Sequence, residues 1–318
     1  MYKKRFTIAI LLASLTLTSA KGLAQACCSA GTPLLGSLEF PSTPAGIWQL
    51  TLTYDYNVLR DVLSGTQTLV DDSRRRVTHS LLWETSYGIS SLFSISILLT
   101  AVQQERAISP ESQSESLLHT RGVGDAVALI KYALIPLTLP SQQEVTIGAG
   151  GKIPLGASTL TSHGVLLPAD MQPGTGAWDG ILWIYASQGF VPRVPLNLFV
   201  IASYRLTGTN ERYGTDQQGY RFGNELVASV GGGYRTDSNV DYSLTLRYRR
   251  VVPDQFGGSE IPNTGGIWLS LLPGLNVTLS DDLTARSSAL IPLYRNLNGT
   301  QLTTSYGATI SLFYVLRK

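Results

Sequence analysis

The feature that most constrains this chain is a two-residue alternation that returns in segment after segment. In GIWQLTLTYDYNV, Trp48, Leu50, Leu52, Tyr54 and Tyr56 share one parity, while Gln49, Thr51, Thr53 and Asp55 share the other. Side chains that alternate this way belong to a strand with one apolar and one polar face. NVDYSLTLRYRR repeats the pattern with Val240, Tyr242, Leu244, Leu246 and Tyr248 on the apolar side. SYGATISLFYVL repeats it again near the C-terminus. One or two such strands fit a soluble sandwich. Aromatic residues bracketing an apolar stripe on many strands instead match a lipid-facing band between interfacial girdles. Trp48, Tyr54, Trp83, Tyr242, Tyr248 and Tyr314 are the expected girdle residues.

The connections sharpen this reading. About twelve strands are expected, joined alternately by long connections (57–75, 103–121, 155–176, 207–219, 253–264, 294–302) and short ones (88–90, 136–142, 189–195, 236–239, 280–282). Short periplasmic turns and longer extracellular loops produce this rhythm in an outer-membrane barrel. An even count returns both ends to the periplasm. The expected fold is all-β, a transmembrane antiparallel β-barrel over residues 45–318.

The N-terminus and the composition agree. Lys3, Lys4 and Arg5 precede an uncharged apolar run from Ile8 to Leu17, and Ala24-Gln25-Ala26 forms an A-x-A cleavage site. Residues 1–26 therefore read as a signal peptide. Only 14% of residues are charged, against about 25% in soluble domains. No later segment offers the ~20 consecutive apolar residues of a spanning helix. Export without a membrane helix points to a barrel in the bacterial outer membrane, with lipid, the barrel-assembly machinery and a small-molecule solute as partners. A net charge of +2 without a basic stripe excludes nucleic acid. Residues 27–44 hold three prolines and read as a periplasmic tail or a plug entering the lumen, the plug being favoured. Cys27 and Cys28 are adjacent; the small Ala26 before Cys27 suits a lipid anchor there, while Leu23 stands one place too far back for the usual Leu-x-x-Cys spacing. Two thiols fall short of the four ligands zinc takes, so local pairing or capping is the simpler role.

Two glycine-rich segments imitate phosphate loops. Gly122-Val123-Gly124 would need a third glycine where Val127 stands, and a helix where strand periodicity follows. GAGGK has Thr146 and Ile153 where a P-loop needs Gly and Ser or Thr. Of the three histidines, His79 lies on an outward parity and His119 and His163 in long connections, with no G-x-S-x-G motif. No catalytic, cofactor or metal site is expected. The inward parity instead collects charge: Glu84, Asp125, Lys131, Glu144, Lys152 and Arg205, then Arg221, Glu225, Asp241, Arg247, Arg249 and Arg286. Lipid would penalise each by ~2–4 kcal/mol near the midplane, so these residues are expected to line the lumen. They either pair across the interior and fill it, or form a ladder that guides a solute.

GVGDAVALIKYAL, VTIGAGGKIPLGAS and GTGAWDGILWIYASQGF together resemble the outer-membrane barrel family named for the meta-pathway of phenol degradation. The matching residues are Gly122–Asp125, Lys131-Tyr132, Gly148–Gly156 and Gly174–Gly176. The resemblance covers roughly residues 121–190 and implies import of hydrophobic aromatic compounds. The last strand resembles an assembly signal, although the chain ends Leu316-Arg317-Lys318, which leaves Tyr314 or Leu316 as the anchoring residue. The functional expectation is a passive channel for small, hydrophobic or aromatic solutes, and no enzyme. Its rival is a structural or partner-binding barrel without transport.

Overall fold

The computed structural model describes residues 41–109, 116–191, 193–214 and 218–317. The expected signal peptide, Cys27 and Cys28 lie outside these residues, as does residues 27–40 of the expected plug. The described wall consists of β1 (Trp48–Gly65), β2 (Arg74–Gly88), β3 (Phe93–Ile108), β4 (Ser116–Val123, resuming as Ala126–Ile135), β5 (Gln143–Ile153), β6 (Asp179–Gly189), β7 (Leu196–Leu206), β8 (Glu225–Tyr234), β9 (Val240–Val251), β10 (Gly266–Ser280) and β11 (Leu283–Leu316). Each pairs antiparallel with its neighbours in the chain, and β11 pairs with β1 to close the ring.

The last element is 34 residues long, and at ~3.3 Å per residue it would extend roughly 110 Å if straight. It folds back instead. Its first arm pairs with β10 from Leu283 to Leu297, and its second pairs with β1 out to Leu316. Gly299 supplies the turn at φ 65°, and Arg295 Nη1 donates to the Thr304 carbonyl across the hairpin at 2.8 Å. The wall is thus crossed twelve times, and both ends of the barrel segment lie at the end with the short turns.

The alternation is cleanest in β3. Phe93, Ile95, Ile97 and Leu99 are exposed, while Ser94, Ser96, Leu98 and Thr100 between them are buried. A closed ring with an apolar exterior satisfies its backbone internally and presents only side chains to lipid. Among the expected girdle residues, Trp48, Tyr54, Trp83, Tyr242 and Tyr314 are all exposed. Tyr248 shares the parity of Tyr242. Trp48 packs on Tyr87 at 4.6 Å and Phe93 on Tyr132 at 4.9 Å near the short turns. Farther up the wall, Tyr54 Oη and His79 Nδ1 are 2.7 Å apart. Trp83 is in register with Leu52 and Leu99, within the apolar band. Replacing Ile97 by Arg should cost about 2–4 kcal/mol, read as a lower urea midpoint in phospholipid vesicles; an unchanged midpoint would mean that this face does not meet lipid.

Three expected long connections need correction. β1 continues to Gly65 and pairs with Gln67–Leu69, β3 continues to Ile108 against Ser116–Val123, and 294–302 holds the tight turn of β11. The strands outrun the apolar stripe because their upper ends leave lipid. There the outward face carries Arg60, Glu105 and Arg121, and no apolar parity marks the strand. At the opposite end the chain enters through residues 41–47. Ser42 donates to Glu144 Oε1 through both its backbone N–H at 2.8 Å and its hydroxyl at 2.6 Å. Ala45 then bridges to Gly88.

Candidate functional site

The connection between β5 and β6, residues 154–178, is the one that shapes the lumen. An ordinary surface loop exposes its backbone to water, but Leu167, Ala169–Thr175 and Ala177 are buried. The loop therefore folds into the barrel rather than over it. A short 3-10 turn, Ala169–Met171, carries its tip. Asp170 there meets two arginines on the inward faces of β2 and β3, with Oδ2 at 3.1 Å from Arg76 Nη1 and 3.6 Å from Arg106 Nη1. Arg76 Nη2 also donates to the Asp170 carbonyl at 2.7 Å and reaches Gln104 Oε1.

The base of the loop is held by Asp125, at the break in β4. Its Oδ1 accepts from the Gly156 N–H at 3.1 Å. Its Oδ2 accepts from Lys152 Nζ at 2.9 Å, the Thr175 N–H at 3.0 Å and the Thr175 hydroxyl at 2.8 Å. Lys152 Nζ also meets Thr175 Oγ1. The two loop arms cross so closely that a Cβ on Gly174 would fall 2.5 Å from the Gly156 carbonyl. Residues from the three glycine-rich motifs thus converge on a single clasp. Their glycines let backbones touch, and Asp125 takes the amides this crossing would otherwise leave buried without acceptors.

From this clasp an ion-pair belt runs along the wall. Lys152 Nζ is 3.1 Å from Asp179, Asp179 is 4.0 Å from Arg205 Nε, Arg205 Nη2 is 2.9 Å from Glu225, and Glu225 is 2.5 Å from Arg249 Nε. Six charges of alternating sign occupy six successive strands, β4 to β9. Arg249 then stacks on Trp268 of β10 at 4.9 Å, whose Nε1 donates to Thr303 Oγ1 at 3.0 Å. Lower down, Lys131 lies 3.8 Å from Glu84 and 4.8 Å from the Trp183 ring. Glu144 accepts from Ser42 and from Thr146.

Of the expected lumen residues, Glu84, Asp125, Lys131, Glu144, Lys152, Arg205 and Glu225 are thus buried among these partners. Arg249 is in the belt, and Arg247 and Arg286 border a cavity. Asp241 accepts the Thr236 N–H at 3.0 Å and ties the turn before β9. Arg221 requires correction, because β7 ends at Leu206 and β8 begins at Glu225. It belongs to a small four-stranded sheet above the wall, where its Nε donates to the Thr207 carbonyl at 3.0 Å. Beside that sheet burial raises the Asp254 carboxyl pKa, and burial together with Asp254 raises that of the Tyr220 hydroxyl donating to it at 2.6 Å. Sequence reading missed Arg76, Arg106, Asp170 and Asp179. The continued parity of Thr100, Val102, Gln104 and Arg106 was the available signal for Arg106; nothing local marks Asp170.

Below the loop the interior changes character. Leu82, Leu98, Val127, Leu129, Ile181, Trp183, Tyr185 and Ile201 form a buried apolar cluster on the inward faces of β2, β3, β4, β6 and β7. Trp183 and Tyr185 stack with centroids 6.2 Å apart. Beside them lies a cavity of about 170 Å³, reaching from the level of Ser229 and Arg247 to that of Asn197 and Gly233, with Phe199, Leu272, Asn276 and Arg286 in its lining. Tyr185 and Ile201 belong to both cluster and cavity.

No family model and no curated protein matches the sequence. Among solved structures, the fold is similar to an outer-membrane channel from Pseudomonas putida F1, with a TM-score of 0.70 at 11% identity over 87% of this chain and 98% of that one. Looser likenesses, without weight of their own, join it to the Ralstonia pickettii toluene transporter TbuX (TM-score 0.43, 10% identity, 93% and 96% coverage). The beta domain of the Bordetella autotransporter BrkA is another (TM-score 0.47, 9% identity, 86% and 100% coverage). The chain has the fold of bacterial outer-membrane barrels.

Proposed function

We propose that this chain is a passive channel of the bacterial outer membrane for small hydrophobic or aromatic solutes. The observation that carries this reading is the apolar cluster inside the barrel and the cavity beside it. The lumen face of an outer-membrane barrel is ordinarily polar. A purely structural barrel has no use for Trp183, Tyr185, Ile181 and Ile201 turned away from lipid, whereas a solute poor in hydrogen-bonding groups does. The motif resemblance to the phenol meta-pathway barrel family supports the same solute class.

The inward charges divide into two roles. The belt from Asp125 to Arg249 and the Asp170 contacts brace the wall and fasten the loop. Selection falls to the lower lumen, where Lys131 lies against the Trp183 ring and Arg247 and Arg286 line the cavity together with Tyr185, Phe199, Ile201 and Leu272. The purified protein is expected to conduct in planar bilayers and to accelerate swelling of liposomes in phenol. Silence in both measurements would sink the channel and leave the structural barrel.

A further inference from the structure

We infer that the lower lumen contains a binding site for a single-ring aromatic carboxylate, an inference that rests on the channel reading and narrows its solute. The cavity of about 170 Å³ is close in size to the engineered apolar cavity of about 150 Å³ that takes up benzene. It has room for one ring and a small substituent.

The lining fixes the chemistry of that substituent. Tyr185, Phe199, Ile201 and Leu272 offer apolar surface on one side, serine, threonine and asparagine side chains line much of the rest, and among the described residues the charged side chains of the lining are Arg247 and Arg286. Arg286 is oriented by Asn276 Oδ1, which accepts from its Nε at 2.5 Å, and by the Phe313 ring 4.9 Å away. Arg247 stands in register with Ser229 and Ser270 on the neighbouring strands. Asp55 and Arg249 are the charges that act on it from outside the lining. Guanidinium groups match the planar fork of a carboxylate. A neutral ring would fill the apolar side and draw a weak cation–π contact from the arginines, without the charge-assisted hydrogen bonds that a carboxylate gains. An aliphatic anion would meet the arginines and leave the aromatic side unused.

Titration calorimetry on the full chain folded in detergent tests this with sodium benzoate and its neutral analogue benzyl alcohol. Benzoate is expected to bind at least about tenfold more tightly, the scale of a charge-assisted hydrogen bond. That preference should vanish in the Arg247→Gln/Arg286→Gln variant, whose folding is checked by heat-modifiable gel mobility. If this variant does not fold, Ser229→Asp keeps both cations and sets a carboxylate opposite Arg247; it should lower benzoate affinity and leave benzyl alcohol unchanged. Equal binding of the two probes by the unmodified protein overturns the site, as does a benzoate preference that persists in a folded variant. Binding in micelles does not require conduction. A protein that prefers benzoate but is silent in bilayers keeps the site and loses the channel, and one that conducts without the preference does the reverse.

Discussion

Asp125→Asn is expected to raise conductance severalfold while costing about 3–5 kcal/mol of stability, the scale for breaking a buried ion pair from one side. The carboxylate takes four donors, from Gly156, Lys152 and twice from Thr175. An amide has a single acceptor oxygen and turns two donors of its own toward those groups. Lys152 retains Asp179 at 3.1 Å, so the wall survives, but both arms of the inward loop lose their anchor at the Gly156–Gly174 crossing. With its base released, the loop retains its tip contacts to Arg76 and Arg106 and the hydrogen bonds its Thr175 and Leu167 carbonyls accept from Asn210 and Tyr213. The measurements are the single-channel current of the folded fraction and the urea midpoint. A destabilised variant with unchanged current would show that the loop does not limit passage.

Glu225→Ala removes a carboxylate from the same belt, and the opposite division is expected. Stability falls by a similar amount, about 3–5 kcal/mol, while the conductance stays near that of the unmodified protein. Glu225 separates Arg205 from Arg249, at 2.9 and 2.5 Å, and its removal leaves like charges in the interior on β7 and β9. Its ion-pair partners Arg205 and Arg249 stand on the wall, outside the inward loop. The contrast between the two substitutions separates bracing of the wall from fastening of the loop. Equal current changes in both would erase that distinction.

The wall was legible because its exterior is dictated by lipid. Trp48 to Tyr56 and Tyr306 to Leu316 had to alternate, since any other order would place polar groups in hydrocarbon. Legibility ended where the strand leaves lipid. Arg76 and Arg106 continue the inward parity, but their outward neighbours are no longer apolar, so the segments resemble loops. The clasp was visible in part. Gly122 to Asp125, Gly148 to Gly156 and Gly174 to Gly176 stand out as motifs, yet their meeting depends on strands β4, β5 and β6 lying side by side. Asp170 carries no such mark, because its partners are set by the fold of a loop through space. The interior cluster was obscured for a related reason. Trp183 and Tyr185 share the sequence style of girdle aromatics, and parity alone does not tell a lipid face from an apolar patch within.

The doubled final element has a kinetic consequence. β11 completes the ring by meeting β1 through Trp48 and Leu316, so the seam joins the two extremes of the barrel sequence. Closing so long a span costs roughly 5 kcal/mol in chain entropy, none of which is recovered until the first seam pairs form. That seam is the longest ladder in the wall, running from Trp48 to Gly65. Once formed, it turns an open sheet with two adhesive edges into a closed object with none. Closure is thus the slow, committing event of assembly, and the hairpin at Gly299 delivers the closing strand already paired along one edge.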